Sequence, residues 1–371
     1  MESYLKDVIS FFNIKGEFVD AKMINSGHIN DTYCISLSQN SKYNTRVHYI
    51  LQRINHNVFK EPEKVMDNII KVTRHLRRKI ITAGGNPERE TLRFIPANDG
   101  KFYCKTKDGN YWRLYAFIDD AQTYQIVENS NHFYSAGKAF GKFQMLLSDF
   151  PVEDLHETIP DFHNTPKRFK SLIEAIDRDA MNRAKHIKSE IEFAEKRADR
   201  TSIVIDMLKE NKLPLRVTHN DTKFNNVLID NETGEGICVI DLDTVMPGSS
   251  LYDFGDSIRS GANTADEDEQ DLSKVWMDLN LFEQFTRGYL EMANGLFTPL
   301  ELEYLPFSSM LITFELGMRF LTDYLNGDTY FRIHRDGHNL DRARVQFKLV
   351  ADMEEKHEQM NKIVEKYRTN I

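Results

Sequence analysis

The sequence is short of several things, and each shortage excludes a class of protein. Cysteine occurs three times in 371 residues, at Cys34, Cys104 and Cys238, odd in number and far apart. That usage fits neither a disulfide framework nor a metal-ligand spacing, and reads as reduced thiols among apolar side chains. No stretch approaches the ~18 consecutive apolar residues of a membrane span. The opening "MESYLKDVISFF" is acidic and amphipathic, without the basic start and apolar run of a signal peptide. Positive charge is also scarce: 48 Lys and Arg stand against 57 Asp and Glu, a net charge of −9. Such a chain has no general attraction for nucleic acid or anionic membrane, so a polyanionic ligand would need a local cation or a metal ion. Repeats and low-complexity segments are missing too. A cytoplasmic protein with neither nucleic-acid nor membrane partners is expected; its oligomeric state is not legible.

What is present is an ordinary globular composition, 40% hydrophobic and 28% charged, over a length sufficient for two or three domains. Up to about residue 117, short apolar runs alternate with turn residues. "TYCISLS" and "HYILQRI" read as strands, and "RFIPANDGKFYCKTKDGNYWRLYAFI" as three more, with Asn98-Asp99-Gly100 and Lys107-Asp108-Gly109-Asn110 as turns. One helix interrupts them, "PEKVMDNIIKVTRHLRRKI", its Val65, Ile69, Val72 and Leu76 at helical spacing. Beyond "IDDAQTY" long helical patterns take over, with helices expected at 131–150, 166–185, 190–210, 271–294, 298–326 and 339–368. In the first of these, Gly137 and Gly141 sit four apart, allowing another element to approach closely. The expected molecule is a bilobal α+β fold. Residues 1–117 form a small β-rich lobe with one main helix, and 118–371 a larger helical lobe carrying a β hairpin. The cleft between them is the natural ligand site.

The hairpin belongs to a β island at 215–243, and the stretch "VTHNDTKFNNVLID" within it crowds His219, Asn220, Asp221, Asn225 and Asn226 between apolar ends. "NVLID", the turn "NETGEG" and "ICVIDLD" read as a hairpin. If Asp230 faces Ile237, antiparallel pairing puts Asn226 opposite Asp241, with Cβ atoms about 4.5–5.5 Å apart. An amide oxygen and a carboxylate at that separation can share one hard cation such as Mg²⁺. An Asp, an Asn five residues on and an Asp twenty residues on is the arrangement of a phosphotransfer site. One carboxylate accepts the proton of the acceptor hydroxyl, while the Asn and the second Asp hold metal on the nucleotide phosphates. Asp253-Phe254-Gly255 spells D-F-G but comes too late in the chain to lie opposite Asn226. Asp253 and Asp256 are expected to cap the next helix or brace the loop.

With H-x-D-x-x-x-x-N standing as "HNDTKFNN" before a strand, the chain resembles the aminoglycoside phosphotransferase and choline kinase superfamily, which has a protein-kinase-like fold. The resemblance implies Asp221 as catalytic base and Asn226 and Asp241 as metal ligands, with His219 organising the loop. Five stretches are similar in particular to the N-acetylhexosamine 1-kinases: "NSGHINDTY", "LQRINHNVF", "THNDTKFNNVL", "VIDLDTVMPGSSLYDFGDSIR" and "GMRFLTDYLNGDTYF". That likeness implies transfer of the γ-phosphoryl group of ATP, with Mg²⁺, to the anomeric hydroxyl of GlcNAc or GalNAc. Asp221, His28, Arg319 and Tyr330 would contact the sugar.

Read physically, Glu315, Arg319 and Asp323 at i, i+4, i+8 are equally open to an intrahelical ion-pair ladder. "YILQRI" carries no Lys for the nucleotide phosphates, so Gln52 or Arg53 must substitute, Arg53 being favoured. Phe117 to Asp120, including Asp119, would form a connector reading adenine through backbone groups. Two other readings stay open. One keeps the fold and changes the acceptor to choline, homoserine, methylthioribose or an aminoglycoside. The other is a catalytically silent nucleotide-binding scaffold.

Overall fold

The computed structural model describes residues 2–24, 29–40, 45–293 and 295–368. The chain opens with helix α1 (Glu2–Ile9) and strands β1 (Glu17–Ile24), β2 (Asp31–Asn40) and β3 (Thr45–Ile54). Helices α2 (Pro62–Thr82) and α3 (Pro87–Glu90) follow, then strands β4 (Cys104–Lys105) and β5 (Tyr111–Ala116). These strands form one antiparallel sheet in the order β1-β2-β3-β5-β4. Five strands were expected, but not these five. β1 was not foreseen, because its exposed Val19 and Met23 break the alternation of an edge strand. "RFIP" contributes only an isolated bridge between Phe94 and Tyr115.

Helix α2 starts with Pro62 in its first turn, where the missing N–H costs nothing. Its Val65, Ile69, Val72, Leu76 and Ile80 are all buried, the face that the spacing predicts. The sheet's other face is covered by α1, where Leu5, Val8 and Ile9 meet Ile35, Leu37, Leu51, Trp112 and Leu114.

A short strand β6 (Ala121–Gln122) leads into helices α4 (Ser130–Leu146), α5 (Thr165–Arg178), α6 (Lys188–Glu195) and α7 (Ile203–Lys209). The island then folds as β7 (Arg216–Thr218), β8 (Val227–Asp230), β9 (Gly236–Val239) and β10 (Met246–Gly248). β8 and β9 form the expected hairpin, β6 pairs with β8, and β7 pairs with β10. The chain ends in helices α8 (Ser250–Gly261), α9 (Leu279–Ala293), α10 (Pro299–Leu325), α11 (His338–Glu355) and α12 (His357–Arg368). The helix expected at 190–210 is broken into α6 and α7, and α8 was not foreseen.

The close approach that Gly137 and Gly141 allow is made by α9. A Cβ at Gly137 would stand 2.4 Å from the Phe285 carbonyl oxygen, and one at Gly141 would stand 2.3 Å from that of Tyr289. Helix α10 is fixed at its start by a capping box, Thr298 with Glu301, and is buried along most of its length. Among the described residues no helix is long and apolar enough to cross a membrane.

Candidate active site

The polar gap at 219–226 lies between β7 and β8, and side chains from behind fix its shape. His219 is fully buried, its ring edge-on to Phe140 and Phe143. Its Nε2 lies 2.8 Å from the Ile240 carbonyl oxygen, and the Asp221 N–H donates to Nδ1 at 3.2 Å. Together these contacts describe a neutral imidazole protonated at Nε2. Buried Asp253 accepts the backbone N–H groups of His219 at 2.9 Å and Asn220 at 2.7 Å, and Gln144 Nε2 at 2.8 Å. Asp253 thus braces the loop from the first turn of α8. It does not cap that helix; Ser249 does. Asp256 pairs with Arg259 inside the same helix, and both are buried.

On the open side of the loop stands Asp221. Lys223 Nζ lies 2.8 Å from its Oδ1, and Asn226 Nδ2 donates to its Oδ2 at 3.1 Å and to its backbone oxygen at 2.8 Å. Burial alone would raise the Asp221 pKa, but Lys223 above all, with Arg259, holds it below the ordinary carboxylate value. Lys223 is pushed up in return, chiefly by Asp221. Because the Asn226 nitrogen is committed to Asp221, its Oδ1 is the atom left to bind something else.

The hairpin register differs by one residue from the expected one. Val227 faces Val239 and Leu228 faces Cys238, and a bulge then brings Ile229 opposite Gly236. Asn226 therefore meets Ile240, whose N–H donates to the Asn226 carbonyl at 2.9 Å, and not Asp241. The turn is tighter than assumed because Asp230 Oδ1 accepts the N–H groups of Glu232 and Thr233. Asp241 lies just past the strand with φ of 58°, a left-handed conformation that Asp tolerates better than most residues. Asp241 is exposed as a residue, and its carboxylate has no hydrogen-bond partner among the described residues. The surrounding protein and the carboxylates of Asp243 and Asp221 push its pKa up to about 6, with Arg113 pulling the other way. Asp241 and Asp221, whose charges act on each other, and the amide of Asn226 bonded to Asp221 supply oxygen donors of the kind a hard cation takes. Among the described residues no group of three or more His, Cys, Asp and Glu side chains gathers as a metal cage. Mg²⁺ suits this sparse arrangement, since it is usually held by one or two carboxylates together with substrate phosphates.

The sheet offers its own cation, at a residue that sequence reasoning missed. Gln52 and Arg113 are direct partners across β3 and β5, and both are buried. Arg113 Nε and Nη2 donate to Gln52 Oε1 at 2.9 and 2.6 Å, and Nη1 forms an ion pair with buried Asp243. The lone charge in apolar "YWRLYAF" was the signal. Arg53 is on the opposite face, partnered with Trp112 across the strands and bonded to Asp31 at 2.6 Å and Asn110 at 3.2 Å. It is not brought to the Gln52 face. In the connector, the Phe117 N–H donates to the His48 carbonyl, and the Asp119 carbonyl accepts from Arg89.

The intrahelical ion-pair ladder to which Glu315, Arg319 and Asp323 are open does not form on α10 among the described residues. Glu315 accepts from Thr165 at 2.6 Å and contacts His163 Nδ1 at 2.9 Å. Asp323 accepts the backbone N–H groups of Thr329, Tyr330 and Phe331. Arg319 is left half-buried, with no hydrogen bond or ion pair among the described residues and its guanidinium 5.9 Å from the exposed Tyr330 ring. His28 lies outside the described residues.

A family model described as "Phosphotransferase enzyme family" matches residues 20–290. The chain belongs to that family. Solved structures of similar fold include choline kinase from Cryptosporidium parvum, at 13% identity over 99% of both chains and a TM-score of 0.58. A spectinomycin phosphotransferase in complex with ADP and spectinomycin shares 14% identity over 96% of this chain and 98% of its own, with a TM-score of 0.57. The GDP complex of aminoglycoside 2'-phosphotransferase-IIIa shares 11% over 96% and 99%, with a TM-score of 0.59. At such identities the likeness is one of fold: a protein-kinase-like α+β architecture, with a β-sheet N-terminal region and a helical C-terminal region. By its family the protein is a phosphotransferase.

Proposed function

We propose that the protein is an ATP- and Mg²⁺-dependent kinase that phosphorylates the 1-hydroxyl of an N-acetylhexosamine, GlcNAc or GalNAc. The observation that carries the phosphotransfer reading is that Asp221, held ionised beside Lys223, takes the Asn226 amide nitrogen, while the carboxylate of Asp241, near enough to feel the Asp221 charge, has no hydrogen-bond partner among the described residues. Asp221 accepts the acceptor proton, and Asn226 and Asp241 would hold Mg²⁺, which would supply positive charge against the nucleotide phosphates. Lys223, beside Asp221, adds positive charge where the transferred group passes. His219 keeps the loop in shape. ADP and GDP in the solved relatives support a nucleotide donor. We assign the donor to the cleft between residues 1–117 and 118–371, with its base along Phe117 to Asp119.

The sugar reading rests on the five stretches similar to N-acetylhexosamine 1-kinases and on Arg319. A guanidinium with no hydrogen bond or ion pair among the described residues, beside an exposed tyrosine, suits neighbouring sugar oxygens and a ring face. His28 is proposed to complete that contact. The test is ADP release with GlcNAc, GalNAc, glucose, choline, homoserine, methylthioribose and an aminoglycoside, with phosphorus NMR of the product. A sugar 1-phosphate is expected. A 6-phosphate, or turnover with an amine alcohol alone, would overturn the acceptor assignment, and ATP binding without turnover on any acceptor would favour a silent scaffold.

A further inference from the structure

The phosphotransfer reading leaves a buried cluster unused. Asp243 lies two residues beyond Asp241, on the C-terminal side of the cleft, yet its partners come from the N-terminal region. Its Oδ1 takes the ion pair with Arg113 of β5. Its Oδ2 accepts Asn30 Nδ2 at 2.6 Å, from the segment just before β2. Each of these partners is held in turn. Asn30 Oδ1 accepts the Asn55 N–H at 2.9 Å, and Gln52, bonded to Arg113, donates Nε2 to Thr32 Oγ1 at 3.0 Å. The Arg113 and Asp243 side chains are each only 3% exposed. Helix α2 presents Met66 to Arg113, not a carboxylate, so Asp243 is the counter-ion among the described residues.

We infer that Arg113, Asp243 and Asn30 form a clasp that positions the metal-binding segment at Asp241 against the sheet of the N-terminal region. The inference rests on the phosphotransfer reading and deepens it. Both oxygens of Asp243 are occupied by N-terminal donors, so Asp243 acts as an anchor and is not a further cation ligand. Asp241 needs such an anchor. Its own carboxylate has no partner among the described residues, and its backbone is left-handed. Its placement therefore depends on the bonds of Ile240 to Asn226 and to His219 on one side and on Asp243 on the other. A buried ion pair contributes little net stability when intact but is costly to break, which suits it to fixing one geometry. All three are positioning residues that act through Asp241.

The test uses the full chain and measures ADP affinity by calorimetry with and without Mg²⁺, alongside melting temperature. The variants are Asn30→Ala, Arg113→Lys and Arg113→Met. Groups that orient metal ligands are typically worth about 10–100-fold in metal affinity. Folded Asn30→Ala and Arg113→Lys are expected to lose roughly tenfold of the Mg²⁺-supported ADP affinity while metal-free ADP affinity moves by less than about twofold. Arg113→Met is expected to lose more. KM for MgATP should rise while KM for the acceptor holds. The combined Asn30→Ala/Arg113→Lys loss should fall short of the product of the two, because the residues act as one unit. Should Arg113→Met fail to fold, half-buried Asn30 still carries the test. Unchanged Mg²⁺-supported affinity in the folded variants, or equal losses with and without the metal, would overturn the clasp. A wild-type chain that binds no ADP under either condition would instead sink the phosphotransfer reading, and the clasp with it.

Discussion

Placing a methyl group at Gly141 tests how tightly α4 is fixed against α9. A Cβ there stands 2.3 Å from the Tyr289 carbonyl oxygen and 3.0 Å from its carbon, and real Cβ atoms essentially never approach closer than 3.0 Å. The helices must therefore part by at least 0.7 Å (3.0 − 2.3) at that point. The obstacle is backbone within a helix, so no side chain can swing aside. A gap of 0.5–1 Å forfeits roughly a quarter to a half of each dispersion contact across it. What stands to be lost is the packing of Phe133, Phe285 and Tyr289, all fully buried. Overpacking costs about 1–3 kcal/mol, and this site belongs at the upper end. Alanine returns about 1 kcal/mol of helix propensity. The net loss for Gly141→Ala is about 2 kcal/mol, a fall of roughly 2–3 °C in melting temperature. Calorimetry and urea unfolding would measure it. Turnover should fall further than stability, because Phe140 and Phe143 on α4 hold the His219 ring. A melting temperature equal to or above that of the wild type would refute the packing argument.

Two further substitutions have defined outcomes. Burial alone would raise the pKa of Glu301, but Arg216, the Thr298 N–H and Ser250 hold it below the ordinary glutamate value. A depressed folded pKa gives stability that is present above the unfolded value of about 4.3 and lost as pH falls through the folded one. Glu301→Gln should cost about 3 kcal/mol near neutrality and flatten the acid limb of the stability curve, read by urea unfolding across pH. A variant that keeps the wild-type acid limb would refute this. For Asp253→Asn, one amide cannot accept all three donors now on the carboxylate, so about 1–3 kcal/mol is expected to be lost for a donor left unpaired. Turnover should drop while the half-saturating Mg²⁺ concentration stays unchanged. A large rise in that concentration would instead make Asp253 the metal residue that its D-F-G spelling suggests.

Much of this molecule was legible because the patterns were local. The helical face of α2, the glycine pair of α4 and the polar loop between two apolar runs each declare themselves within twenty residues. The hairpin was visible too, but its register was not. One residue of turn tightness, set by Asp230 side-chain bonds to its own turn, moved Asn226 from Asp241 to Ile240. Helix α8 was missed because Asp253, Gly255 and Asp256 favour loops, and burial against neighbouring chain overrides that preference. Arg113 was missed for a different reason. Its role depends on standing across from Gln52 and beneath Asp243, and β5 is separated from β3 by two helices. Strand alternation does explain why Arg53, next to Gln52, faces the other way.

The central claim is that Asp221 takes the acceptor proton in a phosphoryl transfer. The most direct measurement is steady-state ADP release by wild-type and Asp221→Asn protein on the best acceptor, with melting temperature and Mg²⁺-supported ADP affinity measured on both. The account expects turnover to fall by about 10²–10⁴-fold, with the variant folded and still binding ADP. Near-full turnover in a folded Asp221→Asn variant would contradict it.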